Sequence, residues 1–217
     1  MSPRQQLLLW TTLCWSLAPL AAAAETWHLA LDPAATEISF VLPTTVTDVR
    51  GRARLARGEI HFDPAGGQAS GQIVVDAGST RTGIELRDRR MHRDVLEVAR
   101  FPTITFRPEA VEIVTRGESD AEILLRGRIA IHGSERSLGI PARIMRDGEV
   151  LRIEARFSVP YVDWGMQDVK TLFLGSSPRV DVQISARAKW VDEVSLAQMP
   201  RVHTAGGEGS RSAPFAQ

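Results

Sequence analysis

The chain has 217 residues with 26 basic and 26 acidic side chains, so its formal net charge is zero and it shows no electrostatic footprint for nucleic acid. A single cysteine, Cys14, excludes an internal disulfide framework and a multi-thiolate metal centre.

Residues 1–24 carry the marks of a secretory signal: a positive start at Arg4, an apolar run from Leu7 to Leu20, and Ala22-Ala23-Ala24 before Glu25. The apolar run is too short and too broken by Thr, Ser and Pro to span a bilayer, which takes roughly 20 apolar residues. Thr11-Thr12-Leu13-Cys14 is unlike a lipoprotein cleavage box. The mature chain is expected to start near Glu25 without its cysteine, to fold over residues 25–191, and to end in a flexible tail at 192–217, where Pro, Gly, Ser and Ala dominate.

Strands are predicted at 27–31, 36–42, 50–62, 70–76, 103–114, 122–132, 137–145, 150–162 and 179–190. The strongest signal is strict alternation. Leu151, Ile153, Ala155, Phe157, Val159 and Tyr161 fall on one parity, and Arg152, Glu154, Arg156 and Ser158 on the other. Successive side chains on a pleated strand point to opposite faces, so this pattern has one dry face and one wet face. It recurs at Ile123, Leu125, Gly127, Ile129 and Ile131, and at Val180, Val182, Ile184, Ala186 and Ala188. Short turns such as Asp63-Pro64-Ala65-Gly66-Gly67 and Asp147-Gly148 join antiparallel neighbours. The expected fold is all-β, an antiparallel barrel of about eight strands, whose interior fills with side chains or holds one small ligand.

Two segments break the alternation. Near 83–96 the period becomes helical, with Ile84, Met91 and Val95 on one side, capping-box spacing at Thr82 and Glu85, and an i,i+4 pair at Asp88 and His92. Residues 163–177 hold Trp164, Met166 and Phe173 without clear periodicity, and read as a plug or a lid hinged at Gly165 and Gly175.

Ser79-Thr80-Arg81-Thr82-Gly83 with Arg87-Asp88, then Phe101-Pro102-Thr103-Ile104-Thr105-Phe106, then Gly127-Arg128-Ile129-Ala130-Ile131-His132-Gly133, follow an order that resembles the YceI-like family of secreted bacterial proteins. The likeness runs from about Trp27 to Trp190. It implies a lipocalin-like barrel that holds an isoprenoid lipid or quinone in its lumen, in the periplasm, with Arg87 and Asp88 fixing the helix to the sheet. Many members carry a histidine after the second strand and an aromatic after the next glycine. Here those stretches read Leu42-Pro43-Thr44-Thr45 and Gly51-Arg52-Ala53.

The candidate lumen residues are Phe40, Phe106, Ile123, Leu125, Ile129, Ile131, Leu151, Ile153, Phe157, Val182 and Ile184. By themselves these residues also fit a solid core, and the family resemblance is what favours a hollow one. Burying about ten methylenes at roughly 0.8 kcal/mol each supplies about 8 kcal/mol, micromolar-grade affinity before ordering costs. Mouth or lid candidates are Arg87, Asp88, His92, Trp164 and Phe173, arginine being suited to phosphate and carbonyl oxygens.

His28, His61, His92, His132 and His203 show no helical metal spacing, so no metal site is expected. No Gly-x-Ser-x-Gly elbow occurs, and Asp63, Asp76, Asp147 and Asp181 stand at turns or on wet faces. The expectation is a binding protein with an isoprenoid lipid as partner and no cofactor, catalytic residue or nucleic acid. Two other readings stay open: an enzyme with a polar site around Asp88 and His92, and a solid-core interaction module. Pairing of two barrels through an edge also stays open.

Overall fold

The computed structural model describes residues 26–167 and 176–191. The strands are β1 (Trp27–Leu31), β2 (Glu37–Leu42), β3 (Val49–Phe62), β4 (Ala69–Arg81), β5 (Thr103–Arg116), β6 (Asp120–Ile131), β7 (Ser134–Asp147), β8 (Val150–Val159) and β9 (Val180–Trp190), with one helix, α1 (Glu85–Arg90). From β3 to β9 each strand pairs antiparallel with the next, through short turns except at the longer β4–β5 and β8–β9 connections.

Nine strands make an eight-stave barrel because β1 and β2 share one stave. Both run antiparallel to β3 and β9: β1 faces Glu59–Phe62 and Ala188–Trp190, and β2 faces Val49–Ala53 and Asp181–Ser185. Between them lies a 3-10 turn, Pro33–Ala35, started by proline and capped by the Asp32 carboxylate, which accepts from the Ala34 amide at 2.9 Å. The β3–β4 and β1/β2–β9 pairings close the sheet, so every strand of the barrel has two neighbours.

The helix differs from its expected form. Its first-turn cap is Ile84, which supplies no side-chain hydrogen bond, and Glu85 accepts from Arg89 at 2.8 Å. The capping box fails because Thr82 is already committed: its amide and its hydroxyl both donate to Asp88, at 2.8 and 2.5 Å. After Arg90 the chain continues as a π-helical turn, Met91–Val95. The eighth strand also ends sooner than its periodicity predicts, at Val159, before Pro160, which has no amide for the ladder; Tyr161–Trp164 form a 3-10 turn instead. His132, expected within a strand, sits at φ 50° in the β6–β7 turn, 2.8 Å from Glu97.

The barrel interior divides into two halves along its axis. One half is packed: Leu29, Ile60, Leu125, Leu151 and Ala188 meet there, Ala188 with no exposed surface. Trp27 closes this end, in edge contact with Phe62 at 5.9 Å and Trp190 at 5.4 Å. The other half, under α1, is hollow. Among the described residues no helix is long and apolar enough to cross a membrane.

Candidate apolar binding cavity

The hollow half holds a cavity of about 400 Å³ that opens to solvent beside the exposed Ile84 and Leu86. Inward-facing residues of the strands build its wall, and α1 with the π turn covers it. Seven of the lumen candidates lie on that wall: Phe40 from β2, Phe106 from β5, Ile129 and Ile131 from β6, Phe157 from β8, and Val182 and Ile184 from β9. The other four, Ile123, Leu125, Leu151 and Ile153, lie outside the lining and pack in the core cluster. They share the parity of the wall residues and differ only in height along the barrel axis.

Two aromatics are seated by glycines. The Phe40 ring lies across Gly51, its directly paired residue, so closely that a Cβ there would fall 2.2 Å from the ring. Phe106 lies against Gly127 in the same way, with a hypothetical Cβ at 2.8 Å from the ring and 2.2 Å from the Arg107 carbonyl oxygen. A side chain at either glycine would push a wall residue into the cavity.

Further wall residues are Val49 and Ala53 from β3, Ile73 and Val75 from β4, and Ile104 from β5. Ile73, Val75 and Ile104 each sit on the inward parity of a predicted strand, the same signal that marks the other wall residues. Ala53 faces Ile38 across β2–β3, and as a small residue it leaves wall space open. Leu42 also lines the cavity, while Thr44 turns away to donate to the Thr47 carbonyl at 2.9 Å.

The cover is amphipathic. Ile84, Leu86, Met91, Val95 and Leu96 face the cavity, with Arg87 and Arg90 at its margin. Arg87 is held by Thr82, donating from Nε to the hydroxyl at 2.7 Å and from Nη2 to the carbonyl at 3.0 Å. Arg90 makes no hydrogen bond among the described residues.

Asp88 is buried and lies off the cavity wall. Burial pushes its carboxyl pKa up, but the Thr82 hydroxyl and amide, with Arg81 and Arg87 close by, outweigh burial and hold the group below the usual carboxylate range. The expected Asp88–His92 pair does not form, because Thr82 claims the carboxylate and His92 Nε2 donates to the Thr80 carbonyl at 2.8 Å. Asp88 and His92 thus tie the helix to the end of β4.

Trp164 is buried in the core cluster with its indole nitrogen 3.5 Å from the Ile129 carbonyl and Arg136 over its ring at 5.6 Å. Its neighbours Tyr161 and Met166 line the cavity, and Trp164 does not. Phe173 and Gly175 lie outside the described residues.

The described wall contains no carboxylate, histidine or cysteine. Such a surface suits apolar matter. A closed eight-stave barrel with an apolar chamber at one end is a lipocalin-like fold. Residues 29–188 match the YceI-like domain, and the chain belongs to that family.

Solved structures agree on the fold. BcnA of Burkholderia cenocepacia is similar at a TM-score of 0.60 and 16% identity, covering 72% of this chain and 98% of its own. A polyisoprenoid binding domain from Saccharophagus degradans, implicated in plant cell wall breakdown, is similar at 0.60 and 18% identity, covering 75% and 98%. A YCEI protein of Campylobacter jejuni is similar at 0.52 and 16% identity, covering 67% and 88%. No curated protein matches the chain.

Proposed function

We propose that this protein holds the tail of an isoprenoid lipid or quinone in the chamber beneath α1, as a periplasmic carrier, store or scavenger. The observation that carries this reading is the chamber itself: about 400 Å³, within the usual range for small-molecule sites, and lined almost wholly by hydrocarbon. The similarity to a polyisoprenoid binding domain supports the choice of ligand class. Phe40, Phe106, Ile129, Ile131, Phe157, Val182 and Ile184 contact the tail. Arg90, at the margin of the chamber, meets the oxygens of the head group. Ile123, Leu125, Leu151 and Ile153 form the floor below. The segment at 163–177 acts as a lid, and residues 1–24 direct export.

The catalytic reading finds no support in the chamber, since Asp88 accepts from the amide and hydroxyl of Thr82, His92 donates to the Thr80 carbonyl, and neither side chain lines the wall. The solid-core reading conflicts with the chamber. The test is to purify the protein under native conditions, extract it with organic solvent and identify what co-purifies by mass spectrometry. A stoichiometric isoprenoid or quinone is expected. An empty extract, together with no uptake of added ubiquinone, would overturn the reading. Amino-terminal sequencing of the exported protein checks the expected start at Glu25.

A further inference from the structure

On the outer wall at the packed end of the barrel, the β1–β3 register sets His28 directly opposite His61. Both point outward, because Trp27, Leu29 and Ile60, their neighbours along the strands, are buried inside. Glu59 lies two residues before His61 and therefore on the same outer face. One donor atom from each of the three residues lies within 4.8 Å of the other two. The two imidazoles are stacked, with ring centroids 4.1 Å apart and planes inclined by 24°.

None of the three side chains makes a hydrogen bond or an ion pair among the described residues. Glu112, Glu135 and Asp120 each engage an arginine, at Arg126, Arg107 and Arg143. Glu59 does not, and Arg57 on its own strand donates to Gln72 instead, at 2.8 Å. The Nε2 of His28 is shut off from solvent with no partner. A buried ring nitrogen without a partner is costly, and a metal ion would satisfy it.

We propose that His28, Glu59 and His61 form a surface site for a borderline divalent transition metal, of which Zn²⁺ is the representative. Two imidazoles and one carboxylate suit Zn²⁺, Cu²⁺ or Ni²⁺ and disfavour Ca²⁺ and Mg²⁺, which take oxygen ligands. Ligands about 2.0–2.2 Å from a tetrahedral zinc stand roughly 3.3 Å apart, so donors now within 4.8 Å close by at most about 1.5 Å. Side-chain rotation on a fixed sheet covers that distance, and water completes the shell. The bound ion joins the five-residue strand β1 to β3 through side chains in addition to the ladder. Sequence spacing hides the site, since 33 positions separate the histidines and only the strand register unites them.

The purified full chain, without a histidine tag and stripped with chelator, is titrated with ZnCl₂ by calorimetry. One equivalent is expected to bind at roughly micromolar strength. At a hundredfold excess over the dissociation constant, the melting temperature should rise by roughly 5–10 °C. His61→Asn should weaken binding more than about tenfold and abolish the thermal shift, and Glu59→Gln should weaken it by a smaller factor. Ring signals of His28 and His61 in the NMR spectrum of the unsubstituted protein provide a readout that needs no variant, and both should move on adding Zn²⁺. Absence of binding, unchanged affinity in His61→Asn, or movement confined to His92, His132 or His203 would each overturn the proposal.

Discussion

The two halves of the barrel interior share strands, parity and residue types, yet one is solid and the other hollow. In the packed half Leu151 and Ala188 face each other across β8–β9 with almost no exposure, and Trp27 with Trp190 closes the end. In the hollow half Phe157 and Val182 pair across the same two strands and remain only half-buried. The difference lies in what covers each end. Indole rings fill the first, whereas α1 spans the second from above without filling it. A barrel can therefore gain stability at one end and keep free volume at the other, with no change in the rhythm of its strands.

Substitutions should separate the halves. Leu151→Ala is expected to cost about 2–5 kcal/mol in chemical denaturation, because a fully packed site cannot collapse around the loss. A cost under about 1 kcal/mol there would break the contrast. Asp88→Asn should destabilise the protein by about 1–3 kcal/mol, by weakening the hydrogen bonds that anchor the helical cover. The sign with pH follows from the depressed carboxyl: its stabilisation is present above the unfolded-state value of about 4 and is lost as pH falls through the lower folded value. The gap between the original protein and Asp88→Asn should thus narrow in denaturant melts run below about pH 4.

Ala53→Phe places a ring in the chamber and should reduce uptake of a fluorescent isoprenoid at least about tenfold, a penalty near 1.4 kcal/mol, while leaving the melting temperature within a few degrees. Ile184→Ala enlarges a wall that already borders free volume. Its stability cost should stay near 1 kcal/mol, well below that of Leu151→Ala, since few atoms lose contact. Hydrogen exchange across residues 163–167 with and without lipid probes the proposed lid, and equal protection in both states would remove it.

The strand pattern made the barrel legible, because period-two alternation is a local property that every segment carries by itself. Which inward residues border a chamber was not legible. Ile129 and Leu125 are four residues apart on one strand with the same parity, and only the cover at each end assigns one to the wall and the other to the floor. The helix is legible from its period and its start is not, since Thr82 offers one hydroxyl for which Asp88 competes with the backbone. Pairings set by register were hidden altogether, as His28 with His61 shows.

The divided stave has a consequence for how the protein breathes. Because β2 bridges β3 and β9 independently of β1, the first five-residue strand can fray at its end while the wall around the chamber stays paired. Loosening of β1 is thereby uncoupled from opening of the wall to which β2 contributes.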